Sequence, residues 1–199
     1  MPASRRLIVT SAIAAVAIGV LAGCVSTPAP TPSATTTTTP DARFTPTPSN
    51  PPVPTATPSA TPVSVACGKL IDPQTMYDFN PNFGLIDSWT PAAGSPAAVA
   101  KSDKGVACRW LNQTSGDLID LSVASLDAAS IESLKNQTVG ASTMVPTYSG
   151  ADEGYFSVAN GIGTAVVFDR SYWIVLTSTF FAEPGDPSDL VASVLAALR

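Results

Sequence analysis

The sequence predicts an α+β domain: an antiparallel sheet of about five strands with helices packed on one face. A signal peptide and a disordered Pro/Thr-rich linker precede it. Three observations lead there. Residues 118–126 alternate, with Ile119, Leu121 and Val123 on one side and Asp120 and Ser122 on the other. That is the period of a half-buried antiparallel strand. Asn160-Gly161 joins two apolar runs, and both residues accept positive φ, which marks a tight hairpin. Asp72-Pro73 and Asp186-Pro187 each pair an N-cap residue with Pro at the first helical position.

The chain opens with Arg5 and Arg6, then an apolar run over 7–21, and closes that run with Leu21-Ala22-Gly23-Cys24. This is the order of a bacterial lipobox: a positive segment, an apolar segment, small residues, and a thiol that can take lipid. Residues 1–23 are then a signal peptide, and Cys24 becomes the lipidated first residue. The apolar run is too short for the roughly 18–20 residues of a bilayer span. Two acyl chains on Cys24 give a stable anchor where one gives only a marginal one. The expected location is the cell membrane, lipid-anchored, on the extracytoplasmic side.

Residues 24–63 comprise Cys24 and a linker of Pro, Thr, Ser and Ala with almost no bulky apolar side chain. Such a segment cannot bury enough surface to offset its ordering entropy. Its prolines favour polyproline II at roughly 3.1 Å per residue, a semi-rigid stalk reaching at most about 120 Å.

Residues 64–199 suit one extracytoplasmic domain with one core. With Cys24 taken by lipid, Cys67 and Cys108 form an even pair in an oxidising compartment. They are expected to form a disulfide, the alternative being two buried free thiols. The closed loop would contribute roughly 4 kcal/mol in the chain-entropy model. Asp72 starts a short helix over 73–79, which stops before Asn80-Pro81 because a residue preceding Pro avoids the α region. Residues 80–104 are rich in Gly, Pro, Ser and Ala and yield no assignment. Strands follow over 105–112 and 118–126, joined by a turn at 114–117. Asp127 caps a helix to about 136. A three-strand meander runs over 154–159, 162–169 and 172–182, its last two strands apolar on both faces and therefore central. The last helix begins at Asp186-Pro187 and buries Leu190, Val191, Val194, Leu195 and Leu198.

The lipobox, the Thr/Pro stalk, a Cys at the domain start and Cys108-Arg109-Trp110 on a strand together resemble a group of actinobacterial secreted lipoproteins of unknown function. The likeness covers roughly 67–199 and rests mainly on the Cys67…Cys108-x-Trp110 pattern. It implies the disulfide and an α+β fold. It implies no catalytic residues.

Chemistry is sparse. The chain contains no His, which removes the commonest general base and metal ligand. No nucleophile elbow, phosphate loop, Ca²⁺ loop or Ser-Lys spacing occurs. The expectation is no catalysis, no metal and no cofactor. The domain carries seven cationic and fourteen anionic side chains, a net charge of −7. That acidity repels phosphate backbones, so nucleic acid is not an expected partner. Tyr77, Phe83 and Trp89 lie in or near the unassigned stretch and are the candidate ligand-binding residues, as platforms for a sugar or an apolar ligand. Each is also explained by plugging the core beside the disulfide. Function is therefore expected to be binding: a lipid-anchored surface domain that takes an envelope protein, a glycan or a small apolar molecule. The alternatives are an assembly subunit that docks onto a membrane or wall complex, and a cell-wall hydrolase using two carboxylates.

Overall fold

The computed structural model describes residues 59–146 and 148–199. The expected signal peptide, Cys24 and most of the expected linker lie outside them. Among the described residues no helix is long and apolar enough to cross a membrane.

The chain forms an antiparallel sheet of seven strands and five helices. In chain order these are α1 (Cys67–Leu70), α2 (Pro73–Phe79), β1 (Phe83–Ile86), α3 (Pro96–Ser102), β2 (Val106–Asn112), β3 (Leu118–Ser125), α4 (Ala128–Val139), β4 (Thr143–Met144), β5 (Glu153–Ala159), β6 (Ile162–Asp169), β7 (Tyr172–Ser178) and α5 (Ser188–Ala197). The spatial order is β1-β2-β3-β7-β6-β5-β4. Two meanders are thus joined by one long pairing, β3 against β7, which runs from Ile119 opposite Ser178 to Ser125 opposite Tyr172.

The five expected strands are all present, and β6 and β7 are interior as expected. Two short strands were not expected. β1 hides in the unassigned stretch because it is four residues long and contains Gly84. β4 is only two residues. The same stretch holds α3, whose cap Ser95 accepts from Ala98 N–H at 3.2 Å with Pro96 at the first turn. The C-terminal helix begins at Ser188 rather than at Asp186-Pro187. Asp186 instead folds back on the preceding loop, accepting from the N–H groups of Ala182 and Glu183 at 2.7 and 3.0 Å. The last strand ends at Ser178, not 182, and Phe181 drops into the core.

Helices cover both faces, not one. Ile119, Leu121 and Val123 of β3, Ala165 and Val167 of β6, and Ile174 and Leu176 of β7 form one core with Leu70, Met76, Leu190, Val194 and Leu195 from α1, α2 and α5. The alternate residues Ala124, Tyr155, Phe168, Trp173 and Val175 form a second core with Ala100 of α3 and Ile131 of α4. Strands that are apolar on both sides need both layers. Gly105 lies tight against both β3 and α3: a Cβ there would collide with the carbonyl oxygens of Val123 and Ala100.

The hairpin at Asn160-Gly161 has φ of 53° and 76°, so both central residues are left-handed, as a turn matching strand twist requires. Cys67 and Cys108 are bonded, with Cα atoms 5.6 Å apart, and staple α1 to β2. The last residues of the expected linker lie against the domain. Ser59 N–H donates to Asp127 at 2.8 Å. Thr61 bridges to Ser125, and Val63 packs on the first core.

Replacing both Cys67 and Cys108 by Ala is expected to lower the unfolding free energy by roughly 4 kcal/mol. Urea denaturation followed by far-UV circular dichroism reads this as a lower midpoint with a steeper slope, because the unbridged denatured chain exposes more surface.

Candidate functional site

The second sheet face is only half covered. α3 packs on β2 and β3, and α4 on β6. Both lie toward the strand ends that hold Ala124, Trp173 and Phe168. Toward the other ends the face stays open.

The register lines up one row of side chains there. Ile86 pairs with Arg109, Arg109 with Asp120, Asp120 with Thr177, Thr177 with Thr164, and Thr164 with Ser157. Directly paired residues share a face, so six strands contribute one position each to a continuous lane. All six residues are partly exposed. Among the described residues, the hydroxyls of Thr177, Thr164 and Ser157 make no hydrogen bond to another protein group, so their donors and acceptors face solvent.

One end of the lane is built tightly. Arg109 Nε and Nη2 donate to the two Asp120 carboxylate oxygens, both at 2.6 Å. This fork fixes the guanidinium plane. The hydrogen bond to Asp120 raises the Arg109 pKa above its ordinary value, although partial burial opposes it. The Trp89 ring lies under the guanidinium, its centroid 3.8 Å from Cζ. A cation over an aromatic face is attracted by the ring quadrupole, so loop residue Trp89 is held on the sheet by β2.

The row nearer the helices, Ser122 and Val175, is buried. On the far side the lane is bordered by Leu111, Leu118 and Ile162, all at least partly exposed. Beyond Leu118, Thr179 Oγ1 donates to Asp117 at 2.8 Å. The hydrogen bond with Ser115 and then that from Thr179 hold the Asp117 carboxyl below its usual value.

The three aromatic residues singled out from the sequence do not converge. Tyr77 stands 62% exposed on α2. Phe83 is 7% exposed and belongs to an aromatic plug on the opposite face, 5.3 Å from Phe180 and 6.1 Å from Phe79 between centroids. Phe83 packs in the first core. Trp89 alone reaches the open lane. Arg109, Asp120, Thr177, Thr164 and Ser157 were not candidates. The sequence marks them only as polar positions on otherwise apolar strands, and their alignment depends on register.

A groove of about 510 Å³ lies on the opposite side of the domain, between α1, α2 and α5. Its carboxylates are Asp72, Asp78 and Asp189. Asp72 is occupied as the cap of α2, accepting from Gln74 and Thr75 N–H and from Thr75 Oγ1. Asp78 accepts from Gln74 Nε2 at 2.7 Å. No group of three or more His, Cys, Asp or Glu side chains that could hold a metal occurs among the described residues.

Lys135 and Glu153 pair at 2.9 Å under α4, and Tyr155 OH donates to Glu153 at 2.6 Å. The Glu153 hydrogen bond and burial push Tyr155 up to about 12. Tyr155 therefore stays protonated and acts as a donor that pins α4. Tyr148 is also raised, by burial, and its buried hydroxyl has no partner among the described residues.

No protein-family model, curated protein or solved structure matches the chain.

Four carboxylates are displaced downward. The cause is the Thr75 hydroxyl for Asp72, the Ser115 hydroxyl for Asp117, the Ser130 N–H for Asp127, and the Tyr155 hydroxyl for Glu153. A carboxylate lowered on folding stabilises the native state above its unfolded pKa, and that contribution is lost as pH falls through the folded value. The thermal midpoint is expected to be nearly flat from about pH 7 to about pH 5 and to drop below about pH 4. Asp127→Asn, which can still cap α4, is expected to make the acid-side drop shallower. Differential scanning calorimetry across pH checks both.

Proposed function

We propose that the protein is a lipoprotein anchored by lipid on Cys24, whose extracytoplasmic domain is a binding module. The membership in actinobacterial surface lipoproteins implied by the sequence likeness belongs to the same reading. The observation that carries the binding reading is the open, polar, register-aligned lane on one face of the sheet. Three adjacent solvent-facing hydroxyls beside a fixed Arg109–Asp120 fork leave donors and acceptors available to a ligand.

Two further features support the reading. The chain joins the domain beside Ser125 and Asp127, at one end of β3, whereas Asp120 lies five residues away, about 17 Å along the strand. The lane is thus set apart from the residues at which the described chain begins. A hydrolase using paired carboxylates would need one carboxyl raised toward neutrality to act as general acid. Asp72, Asp117, Asp127 and Glu153 are lowered, so none of these four suits that role.

A docking subunit is the second reading. It is favoured by Val158 at 52%, Ile162 at 44% and Phe180 at 38% exposure, which lie near the strand ends remote from Ser125.

Two measurements test the proposal. Metabolic labelling with an alkyne fatty acid should tag the wild-type chain in membranes, and Cys24→Ala should abolish the tag and release the protein. Detergent-solubilised full chain should co-sediment with purified cell wall from the host. Retention that is undiminished by Trp89→Ala combined with Asp120→Asn would move the weight to docking through the apolar strand ends.

A further inference from the structure

We propose that the lane binds a linear, uncharged oligosaccharide laid across the strands, with about one pyranose ring per strand. This rests on the binding-module reading and names its ligand class.

The geometry argues for the ligand. Neighbouring strands lie about 4.8 Å apart, close to the length one pyranose contributes to an extended chain. From Arg109 to Ser157 the lane crosses four such gaps, about 19 Å. A polymer with one repeat per strand would meet Asp120, Thr177, Thr164 and Ser157 in step, because the register places them directly opposite one another. Sheet twist turns each strand by roughly 20°, which a glycosidic chain can follow through its linkage torsions.

The chemistry fits the same class. A hydroxyl both donates and accepts, so Thr177, Thr164 and Ser157 complement sugar hydroxyls of either polarity. The Asp120 carboxylate keeps accepting capacity beyond the two Arg109 bonds. Arg109 Nη1 is not used in that pair. Leu111 and Leu118 border the Arg109–Asp120 end of the lane and Ile162 borders Thr164; these side chains suit the apolar C–H face of a pyranose. Trp89, held in place by the guanidinium, supplies an aromatic surface at the β1 end.

Other ligand classes fit less well. The strands β2, β3, β7 and β6 are paired on both sides along the lane, so between its ends the lane offers no free backbone ladder to an extended peptide. Its own charges, Arg109 and Asp120, cancel, while the domain is at −7, which disfavours an anionic polymer. The lane is a surface rather than a cavity, unlike the enclosed apolar pockets that take small hydrophobic molecules.

The test uses the full chain in detergent. Titration calorimetry would be run with the β-1,4-linked hexasaccharides of glucose and of N-acetylglucosamine, alongside wall co-sedimentation. Thr164→Val combined with Thr177→Val keeps shape and strand preference while removing two hydroxyls. The thermal midpoint shows whether that variant stays folded, and Ser157→Ala provides an independent lane substitution if it does not. Binding of either hexasaccharide, weakened at least tenfold by the double substitution, with wall retention reduced in parallel, supports the proposal. A ligand-induced change in tryptophan emission that disappears in Trp89→Phe supports it further, since Trp110 and Trp173 are buried at 3% and 7% exposure. Wall retention that persists without hexasaccharide binding and ignores the lane substitutions overturns this proposal and leaves the binding module standing. Absence of both hexasaccharide binding and wall retention overturns both.

Discussion

The pairing of β3 with β7 is the constraint on which the rest depends. It joins the β1-β2-β3 meander to the β4–β7 meander through seven register pairs. Without it each half is a small sheet with an apolar edge. Both cores form across it: Ile119, Leu121 and Val123 face Leu190 and Val194, and Ala124 with Trp173 faces Ala100 and Ile131. A slip of one residue would turn every side chain of one half to the wrong face. The same slip would break the lane in its middle, between Asp120 and Thr177. Fold and site therefore share one determinant, and a sequence-distant contact sets both.

What local chemistry encodes could be read along the chain. Asp72 and Asp127 cap their helices as expected. Asn160 and Gly161 turn left-handed because Gly lacks a Cβ and Asn tolerates positive φ. The Cys67–Cys108 bridge joins the only two cysteines of residues 64–199. Asp186 misled because Asp-Pro suits a tight loop as well as a helix start. Its carboxylate satisfies loop N–H groups, and the helix begins two residues later.

What depends on tertiary pairing could not be read. β1 has too few residues to show a period, and Gly84 interrupts it. The second helical layer was missed because Ser122 reads as a solvent-facing position, yet it is only 1% exposed. Trp89 was recognised as a candidate from its residue type alone. Its partners Arg109 and Asp120 sit eleven residues apart in sequence and touch only because β2 and β3 pair in this register. Thr177, Thr164 and Ser157 are unremarkable hydroxyl residues until three pairings place them side by side.

The disulfide has a mechanical consequence. If residues 24–63 carry tension between membrane and wall, that force arrives at the N-terminal side of the domain. Residues 59–63 hold by few hydrogen bonds and would peel first. The load then reaches Cys67 and passes through the sulfur bridge straight to Cys108 in β2. Everything between, including α1, α2, β1, α3 and the Trp89 loop, lies inside a closed covalent loop that bears no load. A pull on the stalk would stretch the path from β2 onward while the loop that carries Trp89 stays slack.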